Sequence, residues 1–423
     1  AGAAGLPEPQ IMQSSGGLTD LAHASAHAAL TVLSGPAGGV GGALLLAALA
    51  DQRDVLCFDM GGTSCDVCLI ADGEVAETAA RTIAGRPLAL PALDIGTVGA
   101  GGGSIAWRDA GGALRVGPQS AGAEPGPACY GRGGAEPTVT DANLLLGRLP
   151  ADAPLAGGLA LDLGAAERAV GTLARELGIE THACAEGIVR VAESEMLGAL
   201  RLITVERGID PRRFALMPFG GAGPLHACAI ARELGIRRVL CPRASGVLCA
   251  LGLAAAAPRR DVSRTVMLRG SELTAESLHA TREQLLAEAH GALSGEQAPA
   301  SASASARVRV THELRYAGQS FELAVEQSDE ADVQALREAF AAAHEQRYGY
   351  RDDDAEIELV NVRLSAWGDA PALAPRAGEG QLAPGSRLDG PSVHALGDST
   401  LYVPAGWSGV VDEHGTIVLE DCA

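Results

Sequence analysis

Short apolar runs broken by glycine turns dominate the first 258 residues. Val55-Leu56-Cys57-Phe58 reads as a buried strand because it is continuously apolar and too short for a helix. The run ends in Asp59 and turns through Gly61-Gly62, and Val67-Cys68-Leu69-Ile70 follows as a second strand. Asp72-Gly73 is a hairpin signal, and Glu74 to Thr78 alternates polar with apolar residues. The order strand, turn, strand, turn, strand predicts an antiparallel meander. A different pattern begins at Phe214. An apolar strand through Phe219 leads into Gly220-Gly221-Ala222-Gly223, and Pro224 suits a first helical position. Leu225 to Leu234 then reads as a helix closed by Gly235, and Arg238–Cys241 as the next strand. This is one βαβ unit. Between the two blocks, Ala185 to Val205 carries Ile188, Val191, Leu197, Leu200 and Ile203 at helical spacing.

Beyond residue 258 the texture changes to alternating segments with fewer glycine clusters. Val308–Thr311, Phe321–Val325, Ile357–Leu364 and Leu401–Val403 read as strands, and Ala331–Gln346 as a helix. The junction near Pro258-Arg259-Arg260 predicts a domain over 1–258 and an α+β domain over 262–423. Ala298–Ala306 is of low complexity and is expected to form a surface loop. No repeat of 20–50 residues recurs.

The chain has 423 residues, enough for about two to four domains. Its net charge of −20 argues against nucleic acid as a partner. No Lys occurs, which excludes a P-loop Lys, a pyridoxal-phosphate Schiff base and a biotinyl-Lys in this chain. Hydrophobic residues make up 47% and charged residues 20%, the balance of a globular chain. The longest nearly apolar run, Ala37–Ala50, is too short to span a bilayer, so no membrane association is expected. No charged segment followed by an apolar one opens the chain, so no secretory leader is expected. Nine cysteines, mostly set singly in apolar stretches, suit reduced thiols in a cytoplasmic protein.

Three segments are candidates for chemistry. In Asp59-Met60-Gly61-Gly62-Thr63-Ser64-Cys65-Asp66, the strand-end Asp59 suits Mg²⁺, held directly or through water. Gly61 and Gly62 allow backbone N–H groups to approach a phosphate, and Thr63 and Ser64 add hydroxyl donors. A P-loop would run into a helix and carry Lys. This loop runs into a strand, as in the phosphate hairpin of actin-like, sugar-kinase-like ATPases; an ordinary glycine hairpin is the competing reading. The second segment, Gly220 to His226, is a glycine loop at a helix N-terminus, suited to an anion or nucleotide. A dinucleotide fold fits it poorly, because His226 takes the third-glycine position and no acidic residue follows about 20 residues on. His226 is expected to line an adenosine clamp. The third, Asp94 to Ser104, contains Gly101-Gly102-Gly103, best explained by close approach to a ligand, with Asp94 as a candidate carboxylate; a flexible loop is the competing reading. Asp141 is expected to cap the short helix running through Leu146. Cys129 is either a nucleophile, a metal ligand or a buried thiol, the last being commonest. Cys65 and Cys68 have the spacing of a metal or redox pair, but no second pair lies nearby.

Several motifs in this order resemble the hydantoinase/oxoprolinase family. They are Leu33-Ser34-Gly35-Pro36-Ala37-Gly38-Gly39, the Asp59–Asp66 loop, Gly99–Ser104, Val116–Tyr130, Thr138–Asn143 and Phe219–His226. Arg315–Gln319, His344–Tyr350 and Val403–Trp407 extend the resemblance to the tail. The family includes ATP-dependent N-methylhydantoinase A, 5-oxoprolinase, and acetone and acetophenone carboxylase subunits. The resemblance implies an α/β fold: an actin-like (sugar kinase/Hsp70-like) ATPase lobe with an additional α+β C-terminal domain. It implies ATP and Mg²⁺, with Asp59 as metal ligand and, with Asp94, as catalytic carboxylate. Gly61, Gly62, Thr63, Ser64, Asp66, Gly220, Gly221 and Gly223 would then hold the nucleotide. The implied reaction is opening of a cyclic amide, such as a hydantoin or 5-oxoproline, through carbonyl phosphorylation. Ketone carboxylation and a non-catalytic nucleotide-sensing scaffold are the alternatives. The implied partners are a B-type hydantoinase subunit or domain and a further N-terminal region carrying a first phosphate hairpin, in an oligomer. Cys65 stands where the family commonly has Thr, and Ser15 where it commonly has Asn.

Overall fold

The computed structural model describes residues 8–78, 81–83, 85–88, 90–152, 158–293, 307–326, 332–373 and 382–422. In chain order its main elements are α1 (Ser34–Leu49), β1 (Val55–Met60), β2 (Cys65–Ala71), β3 (Ile95–Val98), α2 (Val139–Leu145), α3 (Leu163–Leu177), α4 (Thr181–Ile203), β4 (Ala215–Phe219), α5 (Gly223–Leu234), β5 (Arg238–Cys241), α6 (Leu248–Ala255), β6 (Arg259–Arg269), α7 (Ala275–Leu293), β7 (Arg307–Tyr316), β8 (Leu323–Glu326), α8 (Val333–Tyr348), β9 (Ile357–Trp367), β10 (Arg387–Asp389), β11 (Trp407–Val411) and β12 (Ile417–Asp421). The chain forms two compact units. The larger comprises Met12–Gly16, Ala29–Ala255 and Ala372–Ala423; the smaller comprises 8–11, Gly17–Ala28 and Ala256–Pro371.

The larger unit is a mixed sheet with strand order β3-β2-β1-β4-β5-β12-β11-β10. β1 runs antiparallel to β2 and parallel to β4, and β4 runs parallel to β5. Central strands are covered on both faces, which is why β1 and β4 read as unbroken apolar runs. The helix after β4 begins with Pro224 in its first turn and ends at Gly235 in the left-handed conformation, as the punctuation of the sequence predicts. α4 starts earlier than expected, at Thr181, and ends earlier, at Ile203, and it buries Ile188, Ala192, Met196, Leu200 and Ile203 at three- to four-residue intervals.

The apolar run at Ala37–Ala50 lies in α1, a helix rich in glycine. Glycine weakens a helix, so its presence here needs a packing reason. α6 supplies one. A Cβ on Gly252 would lie 1.8 Å from the Gly38 carbonyl oxygen, and one on Gly42 would lie 2.6 Å from that of Leu248. The two backbones touch where any side chain would hold them apart.

The smaller unit is a four-stranded antiparallel sheet, β6-β9-β7-β8, whose apolar face packs with α7 and α8 into a core of its own. The tail after 372 lies with the larger unit, not with 262–371. This divides the expected C-terminal domain over 262–423, because β12 pairs with β5 and extends the other sheet. Asp141 is also placed differently: Thr138 caps α2, and Asp141 at the third helical position completes a reciprocal capping box. The low-complexity segment Ala298–Ala306 lies outside the described residues.

Candidate functional site

β1 and β4 end side by side, with Asp59 opposite Phe219 in parallel register. The two glycine loops of the sequence therefore leave from the same edge of the sheet. Carboxyl ends of parallel strands are where open α/β sheets bind ligands. The loops are tied together: the Ala222 N–H donates to the Met60 carbonyl at 3.0 Å. The Gly220 N–H donates to the Ser245 carbonyl at 2.9 Å, and the Gly61 N–H to the Ser64 carbonyl at 3.1 Å.

The glycines in these loops serve different ends. Gly220 has φ +77°, and a Cβ there would lie 2.4 Å from both Asp59 Oδ1 and the Met60 carbonyl oxygen. It is glycine because the fold requires it. Gly61, Gly62 and Gly221 face open space, with nothing within 4 Å of an added Cβ. No packing inside the described residues explains those three. Gly223 is buried, and a Cβ there would meet Phe58 at an ordinary 3.5 Å. Of the hydroxyls, Thr63 is exposed and Ser64 half-buried.

The run Gly101-Gly102-Gly103 has a reason the sequence reading did not give. A Cβ on Gly101 would lie 2.6 Å from the Gly62 carbonyl carbon and the Thr63 nitrogen. Gly102 and Gly103 donate N–H bonds to the Gly61 and Gly62 carbonyls at 2.9 and 2.7 Å. The close approach in this structure is to the backbone of the first glycine loop, which the run holds by these bonds. Thr140 Oγ1 in turn donates to the Gly102 carbonyl at 2.8 Å.

Asp59 is half-buried at the mouth of the loops. Burial raises its pKa to about 6, the neighbouring Asp66 carboxylate adds to the rise, and a hydrogen bond from the Cys249 thiol opposes it. The Cys249 sulfur stands 3.5 Å from Asp59 Oδ2. The thiol is itself pushed up to about 12, by burial first and the Asp59 charge second, so it stays protonated and acts as donor. Asp66 lies opposite Asp59 on β2 and accepts a 2.6 Å bond from Thr97 Oγ1.

Asp94 is not brought to this group. It pairs with Arg207. It also precedes Thr97, the partner of Asp66, by three residues, or about 10 Å along the sheet. His226 is fully buried and does not line the loop surface. Its ring nitrogens face Glu193 Oε1 at 3.1 Å and Asn143 Nδ2 at 3.3 Å. Cys65 and Cys68 are buried on β2, and burial raises the Cys129 thiol pKa, with the nearby Asp141 carboxylate adding to the rise. Among the described residues no group of three metal-ligating side chains occurs, and no helix is long and apolar enough to cross a membrane. Sequence reasoning missed Cys249 and the Ser245 carbonyl, which reach the site through a register no local pattern reveals.

A family model described as hydantoinase/oxoprolinase matches residues 5–262. The chain is 36% identical to caprolactamase subunit alpha of Pseudomonas jessenii, over 85% of this chain and 53% of that protein. It is 34% identical to 5-oxoprolinase 1 of Arabidopsis thaliana, over 97% of this chain and 36% of that protein. An uncharacterised protein of Methanocaldococcus jannaschii is 35% identical over 97% of this chain and 65% of its own length. The chain thus spans between about a third and two thirds of the length of these relatives. Among solved structures, the ATP-dependent caprolactamase of Pseudomonas jessenii superposes with a TM-score of 0.81 at 32% identity, covering 99% of this chain and 66% of that one. Nucleotide-free acetone carboxylase superposes at 0.77 with 25% identity, covering 98% of this chain and 64% of that one. Motif order, glycine-loop geometry and these likenesses agree: the chain belongs to the hydantoinase/oxoprolinase family.

Proposed function

We propose that this chain carries part of the nucleotide site of an ATP-dependent enzyme that opens a cyclic amide, on an actin-like ATPase lobe. The observation that carries the reading is the pair of glycine loops at one sheet edge. Gly61, Gly62 and Gly221 leave open space there beside the Asp59 carboxylate. Backbone N–H groups freed of side chains suit a phosphate chain. Gly220 and Gly223 shape the second loop from within, and Thr63, Ser64 and Asp66 border the first.

The donor set also fits Mg²⁺, which favours oxygen ligands, commonly one or two carboxylates with substrate phosphates. Asp59 is desolvated, close to Asp66, and bonded to a neutral thiol; a cation beside it would relieve that arrangement. When bound, Mg²⁺ neutralises phosphate charge. Asp59 would hold it, and the loops would orient the phosphates and keep them at the strand ends. The relatives include an ATP-dependent caprolactamase and 5-oxoprolinases. For a cyclic amide, moving the terminal phosphoryl group of ATP to the amide oxygen releases ADP and creates a leaving group. Water then adds at the carbon, the C–N bond breaks as the nitrogen takes a proton, and a second water hydrolyses the remaining acyl phosphate to carboxylate and phosphate. A hydantoin or a 5-oxoproline-type lactam is the substrate class. The ring-opening step belongs to a B-type subunit or domain, in an oligomer that also includes a region bearing the opposing phosphate hairpin. Free, mostly buried thiols suit a cytoplasmic location.

The test is Asp59→Asn in the assembled enzyme. Removing the carboxylate charge should lower ATP turnover by about two orders of magnitude or more with the fold retained. Near-normal turnover refutes the assignment. The acetophenone carboxylase gamma subunit is 37% identical over 57% of this chain, which supports ketone carboxylation as the second reading. Bicarbonate-dependent ketone consumption would favour it, whereas ATP turnover stimulated by hydantoin or 5-oxoproline favours the amidase. Nucleotide binding with neither activity would leave a sensing scaffold.

A further inference from the structure

The glycines that open α1 are distant from Asp59 in sequence, yet they set what touches it. Gly38, Gly42 and Gly252 bring α6 into backbone contact with α1. That contact fixes Cys249 from two sides. A Cβ on Gly38 would lie 3.0 Å from the Cys249 carbonyl oxygen, and one on Gly39 would lie 3.1 Å from its sulfur and 2.7 Å from the Phe219 ring. The sulfur has a confined place, and from it reaches Asp59 Oδ2 at 3.5 Å. The other oxygen, Oδ1, lies against Gly220, where any side chain would collide with it. Among the described residues, Cys249 is the only side chain hydrogen-bonded to this carboxylate.

We infer that Cys249 is a positioning residue for Asp59: its thiol, seated by Gly38 and Gly39, donates to Oδ2 and holds the carboxylate in one orientation at the mouth of the glycine loops. The inference rests on Asp59 serving the nucleotide. A thiol is a weak donor, but a partly desolvated carboxylate is a strong acceptor, and a single oriented bond suffices to select one side-chain rotamer. The glycines at 38 and 39 thereby act on the site through Cys249.

The experiment compares Cys249→Ala, Cys249→Ser and Asp59→Asn in the assembled, ATP-hydrolysing enzyme. Cys249→Ala should reduce kcat for ATP turnover roughly tenfold while KM for ATP stays within about twofold, because Asp59 loses its orientation and the loops keep their shape. Cys249→Ser keeps a donor and should recover at least about half of the wild-type kcat. Full activity in Cys249→Ala, failure of Cys249→Ser to recover, or a raised KM with unchanged kcat each overturns the inference if Asp59→Asn is inactive. Should Asp59→Asn remain active, the reading of Asp59 falls and the inference with it.

Discussion

Alanine at Gly220 and alanine at Gly221, one residue apart, should have opposite consequences. At Gly220 the backbone lies at φ +77°, where a residue with a Cβ costs about 1–2 kcal/mol. The added methyl would also lie 2.4 Å from Asp59 Oδ1 and from the Met60 carbonyl oxygen. Ordinary contact begins near 3.4 Å, so these atoms must retreat by about 1 Å (3.4 − 2.4). Forced shifts of this kind cost about 1–3 kcal/mol. The sum is about 2–5 kcal/mol, a large part of a domain's stability and worth roughly 10 °C in melting midpoint. At Gly221 the methyl meets nothing within 4 Å. Its effect on stability should stay within about 0.5 kcal/mol, as for ordinary surface changes. If that open space receives the phosphates, the same methyl should weaken ATP binding about tenfold, or 1.4 kcal/mol. Differential scanning calorimetry reads the first effect and titration calorimetry with ATP and Mg²⁺ the second. An unchanged midpoint in Gly220→Ala would refute the packing around Asp59. Unchanged ATP affinity in a normally melting Gly221→Ala would refute the loop as a phosphate cradle.

Gly252→Ala places a methyl 1.8 Å from the Gly38 carbonyl oxygen and must separate α1 from α6. It should cost about 2 kcal/mol or more by denaturant titration, and a wild-type midpoint would contradict the contact. His312 is buried on β7, and burial lowers its pKa to about 4 from the ordinary 6.5. The stability it contributes as a neutral ring is present above pH 6.5 and is lost as pH falls towards 4, by about 2 kcal/mol at pH 5. His312→Leu should flatten the stability of the chain between pH 7 and 5, and an unaltered slope in urea titrations would exclude this cause. The chain by itself should show no ATP-dependent ring opening, and the opposing hairpin region together with a B-type partner should restore it. Robust turnover by the isolated chain would show that the site is already complete.

Local signals carried much of this protein. An apolar run ending in Asp59, two glycines and a second run are enough to write strand, turn, strand, since each step depends on neighbouring residues. Pro224 and Gly235 bracket α5 for the same reason. The order of the motifs was enough to indicate the family. What the sequence did not contain was register. That Asp59 stands opposite Phe219, so that two loops share one edge, is a pairing between distant strands with no periodic trace in either. The glycines at 101–103 signalled close approach, but only the fold showed that the neighbour is the Gly62 backbone. The apolar run at Ala37–Ala50 showed that it is too short to cross a bilayer, not that its glycines admit α6 to its backbone. His226 looked like a lining residue from its place in a motif, and the packing of α2 and α4 around it decided otherwise. Cys249 and Asp59 are 190 residues apart, and the tail strands after 372 join a sheet begun at residue 55. Contacts at such separation are set by how whole elements pack, and no single segment encodes them.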